Sequence, residues 1–146
     1  MKRSVSMKDL ALAVGLLHEE QYTCVLCKGE EHFVSRQTGI SPMLDLIDSG
    51  ADLNGFSAAD KIVGKATALL FVLAGIKAVH AEVLSEAGKE ILQKYGIPVS
   101  CGTLTQYIIN RKGDGMCPME ETVLHTDDPH KALVLLRNKR DSLRSH

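Results

Sequence analysis

Lys77-Ala78-Val79-His80-Ala81-Glu82-Val83-Leu84-Ser85-Glu86-Ala87-Gly88-Lys89-Glu90-Ile91-Leu92-Gln93-Lys94-Tyr95-Gly96-Ile97-Pro98-Val99-Ser100-Cys101 decides the fold. Residues 77–84 read as a strand, rich in branched and small apolar side chains. Ser85 then offers an N-cap hydroxyl and Glu86 a first-turn acid, and Gly96 closes the helix. A second strand-like run follows over 97–101. Strand, helix and strand at this spacing form a βαβ unit, which requires a parallel pair and a right-handed crossover.

Upstream, 57–73 reads as one helix that Ser57 caps and Ala74-Gly75 ends. On a helical projection Asp60, Lys61, Gly64, Lys65, Thr67 and Ala68 share one arc, and apolar residues fill the other side. Beyond Leu69 the segment is apolar nearly all round, as a core helix is. Met7, Leu10, Val14 and Leu17 recur at helical spacing, so 6–19 is expected to be an amphipathic helix, with 1–5 a disordered start. The runs 22–28 and 31–36 form a hairpin across Lys28-Gly29-Glu30. Ser41-Pro42 opens a short helix over 42–49, and 50–56 is a loop. Downstream, 106–110 reads as a short strand, 117–124 as a helical turn or two, and Asp127-Asp128-Pro129 as the start of a last helix within 127–146. The expectation is one domain over 1–146, an α/β chain folded as a three-layer α/β/α sandwich around a mixed sheet.

The totals agree with one ordinary domain: 146 residues, 45% hydrophobic, formal charge −1. That balance gives no global field toward nucleic acid or anionic lipid. The basic stretch 130–146 reads as a solvated helix end. No signal peptide is apparent, and the longest apolar run, 66–76, is too short to span a bilayer. A cytoplasmic location and reduced thiols are therefore expected for the four Cys. Oligomeric state is left open.

The chemistry-bearing residues fall in three places. Asn110-Arg111-Lys112-Gly113-Asp114-Gly115-Met116-Cys117-Pro118-Met119-Glu120-Glu121 packs a cation, a glycine turn, a thiol and two carboxylates into one loop. Cys117 precedes a helix start, where thiolates are favoured; a buried inert Cys is as frequent. Arg111 suits an anion or the neighbouring carboxylates. Asp60 reads as the acid of a Ser57-x-x-Asp60 capping box, as a site residue, or as both, since the two roles are compatible. Lys61 and Lys65, one turn apart on the expected helix, are solvated or hold a phosphate, and Gly64 between them allows close approach. Ser85 and Glu86 lie at a strand's carboxyl end, where ligands gather in such sheets.

Cys24-x-x-Cys27 does not read as a metal pair, because i and i+3 on a strand point to opposite faces. His125 and His130 read as surface residues. No GxGxxG, P-loop or GxSxG pattern occurs. Neither a metal nor a cofactor is expected.

The runs Ala59-Asp60-Lys61-Ile62-Val63-Gly64-Lys65-Ala66 and Ala81-Glu82-Val83-Leu84-Ser85-Glu86, with Asn110-Arg111 and Cys117-Pro118-Met119-Glu120, carry a resemblance. Over about residues 7–125 the chain resembles a small bacterial family of unknown function related in fold to the cytidine deaminases. The resemblance implies a cytidine deaminase-like sandwich. Deaminases hold zinc through a H-x-E helix start and a P-C-x-x-C helix start. Here Asp60-Lys61 and Ser85-Glu86-Ala87-Gly88 stand at those places, without the ligands. The leading expectation is a small-molecule pocket without zinc that takes a nucleotide-like or other anionic ligand. Asp60, Cys117 and Glu120 are its candidate catalytic residues. Lys61, Gly64, Lys65, Ser85, Glu86, Asn110 and Arg111 are its candidate ligand-binding residues. The alternatives are an enzyme using Cys117 with Asp60 or Glu120 as acid/base and, third, a zinc-dependent deaminase.

Overall fold

A computed structural model describes residues 2–144, with side chains from Lys8 onward. Met1, in the expected disordered start, and the last two residues of the expected C-terminal helix lie outside the described residues. So does the side chain of Met7. The elements are α1 (Lys2–Glu19), β1 (Cys24–Lys28), β2 (Glu31–Ser35), α2 (Ser41–Asp48), β3 (Ser57–Val63), α3 (Lys65–Ala74), β4 (Ala78–Ser85), α4 (Glu86–Lys94), β5 (Val99–Thr105), α5 (Pro118–Thr122) and α6 (Pro129–Arg144). They build an α/β fold around one five-stranded mixed sheet of order β2-β1-β3-β4-β5. The β1–β2 and β1–β3 pairs are antiparallel; β3–β4 and β4–β5 are parallel.

The main correction concerns 57–73. Residues 57–63 are a strand in the middle of the sheet, and the helix starts only at Lys65. Ala58 and Ala59 favour a helix in isolation. Between β1 and β4, however, both faces of β3 are covered, and Ser57 through Asp60 are all buried. Burial on both faces erases the alternation that marks a strand. Gly64 is extended, at φ −105° and ψ −168°, and separates the two elements. The Ser57-x-x-Asp60 capping box and the shared helical arc therefore do not exist.

Smaller differences follow the chain. β5 runs to Thr105, and 106–110 is not a strand. Ile109 makes one isolated bridge to Met116, and Asn110 donates its amide to Gly115 carbonyl at 2.8 Å, closing a loop instead. The expected cap does form on α4, where Ser85 Oγ accepts from the Gly88 amide at 3.0 Å.

Two apolar clusters lie on opposite sheet faces. Leu17 and Ala13 of α1 pack on Val25, Cys27 and Ala59. The larger cluster joins Cys24, Leu26, Ala58, Val79 and Ala81 to α2, α3, α4 and α6. Cys24 and Cys27 thus lie on different faces. Gly88 lets α4 start beside α3: a Cβ there would stand 3.0 Å from the Gly64 carbonyl oxygen. On the outer side, α6 is fastened to α2. Arg140 reaches Asp45 at 2.8 Å and Asp48 at 3.1 Å, and Arg137 Nε reaches Asp48 at 2.7 Å.

Candidate functional site

Beyond the carboxyl end of β3, a cleft of about 300 Å³ opens between the start of α3, the segment before α2 and the loop 108–119. Parallel strands feeding helices make this end of a sheet the usual ligand side. Ile62 and Gly64 form its floor, and Thr67 on the first turn of α3 contributes a hydroxyl. Ile40, Ile108, Ile109 and Met119 make the wall largely apolar.

Glu120 closes the inner end. Its Oε1 accepts from the Lys65 amide and its Oε2 from the Ala66 amide, both at 2.7 Å. These are orphan donors of the α3 N-terminus, and a carboxylate there also complements the helix dipole. Gly64 is what admits it, since a Cβ at that position would overlap Glu120 Oε1 at 2.1 Å. Burial nevertheless raises the Glu120 pKa, against the lowering by both amides and the Lys65 charge. Arg111 stands on the same cleft's lining and is exposed, with Nη2 donating to Thr38 Oγ1 at 3.0 Å. Cys117 lines the cleft as well, at the N-cap of α5 and half-buried, with its amide on Ile108 carbonyl.

Of the residues named from sequence, Gly64, Arg111, Cys117 and Glu120 share this cleft. The others lie elsewhere, mostly because β3 is a strand. Lys61 is exposed and, by alternation, leaves the opposite sheet face from Asp60. Lys65 gives only its backbone; its ammonium turns outward to Asp127 at 2.9 Å and to Leu124 carbonyl at 3.1 Å. Lys94 holds the other Asp127 oxygen at 3.2 Å, so the two lysines lower the Asp127 pKa by hydrogen bonding. Ser85 is a buried cap and Glu86 is exposed. Asn110 shapes its own turn: its Oδ1 accepts from Gly113 and its Nδ2 donates to Asp114.

Asp60 sits one step deeper than Ile62 on the same face of β3, only 6% exposed. It accepts from the Ile62 amide at 3.2 Å and from the thiol of Cys24, its partner across β1. Burial pushes its pKa up to about 7.

Sequence reading missed Thr38, Ile62 and Thr67. A polar loop carrying the apolar pair Ile108-Ile109 was the available signal for the wall. Among the described residues, no group of three His, Cys, Asp or Glu side chains is placed to hold a metal ion. No described helix is long and apolar enough to cross a membrane.

The thiols differ sharply. Cys24 and Cys27 are buried, and burial raises both pKa values, Cys27 to about 11. Cys101 is exposed on the edge strand β5. Cys117 is half-buried, so by exposure Cys101 rather than Cys117 is the thiol that solvent reaches most readily. Limiting iodoacetamide at neutral pH, followed by peptide mass mapping, should modify Cys101 first, Cys117 more slowly, and Cys24 and Cys27 only after unfolding. Early loss of Cys24 would show that the sheet opens far more readily than its packing implies.

The protein is an α/β fold with a five-stranded mixed sheet, in which a helix-capping carboxylate and an exposed arginine line one small cavity. The chain belongs to the family of the domain of unknown function DUF1893, whose model matches residues 12–140. It is similar to the crystal structure of a DUF1893 family protein from Thermotoga maritima, solved at 2.70 Å. That chain is 26% identical, with a TM-score of 0.83 and 90% of each chain covered. No curated protein matches.

Proposed function

We propose that the cleft binds a small amphipathic anion, nucleotide-like in outline. A planar, largely apolar body would lie over Ile62 and Met119, and the anionic group would lie at Arg111. The observation that carries this reading is the pairing of an apolar cavity with an exposed guanidinium whose hydrogen bond goes to a neutral hydroxyl. Such a guanidinium keeps its full charge and fork geometry for a carboxylate or phosphate. At the inner end, Glu120 and Thr67 offer oxygen acceptors to a donor on the ligand. The anion does not rest on the α3 N-terminus, because Glu120 already fills it.

A deaminase-like arrangement is part of this proposal. It is supported by a mixed sheet with helices on both faces and by α3 and α4 starting side by side at neighbouring strand ends. The helix starts now stand at Lys65-Ala66-Thr67 and at Ser85-Glu86-Ala87-Gly88, and neither carries a His or Cys. A second reading, an enzyme using the thiol, is favoured by Cys117 and Glu120 lining one cavity.

Thermal melts with a panel of nucleoside monophosphates, nucleosides and inorganic phosphate test the proposal. At about a hundredfold excess over Kd a ligand stabilises by about 2.7 kcal/mol. Monophosphates should therefore raise Tm by several degrees, more than nucleosides or phosphate do. Arg111→Ala should weaken binding about tenfold or more, as loss of a charge-assisted hydrogen bond does. No shift with any member at millimolar concentration would reject the ligand class.

A further inference from the structure

Four polar side chains meet on the sheet face that carries α1, away from the cleft. His80 and Ser100 are register partners across β4 and β5, so their side chains leave the same face. Ser100 is exposed, and its Oγ lies 2.8 Å from His80 Nδ1. Glu82 follows two residues along β4, again on that face. Its Oε2 stands 3.5 Å from His80 Nε2, and its Oε1 bonds Nε2 of His18 from the last turn of α1. Gly102, two residues beyond Ser100, leaves the room this requires. A Cβ there would lie 2.9 Å from Glu82 carbonyl oxygen and 3.3 Å from its carboxylate.

Hydroxyl, imidazole and carboxylate in this order form the arrangement that activates a serine. The base is within hydrogen-bond reach of the nucleophile, and a carboxylate stands at ion-pair distance from the base's other nitrogen. With the ring proton on Nε2, the nitrogen toward the carboxylate, the Nδ1 lone pair faces Ser100. The His80 side chain is 16% exposed, so the ring is held while the hydroxyl stays open to solvent.

We infer that Ser100 is an activated nucleophile that accepts acyl groups from esters or thioesters, with His80 as general base and Glu82 as the residue that positions His80. Ser100 Oγ bonds to the carbonyl carbon, and the bond from that carbon to the leaving oxygen or sulfur breaks. The hydroxyl proton passes to His80 Nδ1 and then to the leaving group. This site is independent of the cleft and of what the cleft binds.

An alkyne fluorophosphonate probes the same chemistry, because Oγ displaces fluoride from phosphorus while His80 takes the proton. The full chain is incubated with the probe and the adducts are mapped by mass spectrometry, with exposed Ser49 as internal control. Ser100 should be labelled at least tenfold faster than Ser49. His80→Ala should remove that advantage, and added imidazole should restore part of it. Glu82→Gln should slow labelling where Glu82→Asp does not, with Tm measured for each variant. Labelling of Ser100 no faster than Ser49, or unchanged in folded His80→Ala, would overturn the inference.

Discussion

Glu120→Ala is expected to destabilise the protein by about 3 kcal/mol, because it strands two helix-end amides that the carboxylate now satisfies. Each buried donor left without a partner costs about 1–3 kcal/mol, and water entering from the open cleft keeps the sum below the maximum. Glu120→Gln should lose about half as much: the amide oxygen accepts one N–H while the amide nitrogen faces the other. Gly64→Ala attacks the same cap from the opposite side, since the new Cβ would occupy the carboxylate's place. Its cost should be similar alone and small on top of Glu120→Ala, because the two substitutions remove one interaction. Urea unfolding at pH 7 measures the four variants, the double included, against wild type. A Glu120→Ala cost within about 0.5 kcal/mol of zero, on the scale of ordinary surface substitutions, would show that the cap contributes little, and additive losses would show that Gly64→Ala does not act through the cap.

Asp60→Asn should do the reverse, and only above a certain pH. Burial holds the Asp60 carboxyl near 7 in the folded protein against an ordinary value of 3.8. The folded state thus binds this proton more tightly than the unfolded state does. The resulting stability is complete below about pH 3.8, declines as pH rises toward 7, and is gone above it. A shift of this size corresponds to roughly 4 kcal/mol. Asparagine has no proton to release. The stability of Asp60→Asn relative to wild type should therefore climb by several kcal/mol between pH 4.5 and 7.5 in paired denaturant titrations. A difference that stays flat with pH would mean that Asp60 titrates like an exposed carboxylate.

What the sequence disclosed and what it hid divide along physical lines. The β4–α4–β5 unit was legible because its signals are local: a strand-like run, Ser85 at a cap, Gly96 at a stop. The β1–β2 hairpin announced itself through Lys28-Gly29-Glu30. β3 did not, because Ala58 and Ala59 are good helix formers and Ser57 to Asp60 are buried on both faces. That one misreading moved Asp60, Lys61 and Lys65 onto a common face they do not share. Arg111, Cys117 and Glu120 were found because a polar loop beside a sheet end is suspicious in itself. The task of Glu120 was out of reach, since it caps a helix that starts 55 residues earlier. Likewise His80, Glu82 and Ser100 are ordinary strand residues until the register of β4 against β5 places them together.

The fastening of α6 to α2 bears on kinetics. Arg137 and Arg140 meet Asp45 and Asp48 across 89 to 95 residues of intervening chain. Contacts of such separation close the longest loops, and the entropy of closure delays them until the sheet has already brought the ends together. A link made after the rate-limiting barrier leaves the folding rate nearly unchanged and slows unfolding instead. The arginine–aspartate clasp is therefore expected to act as a brake on opening, with more effect on how long a folded molecule persists than on how quickly it forms.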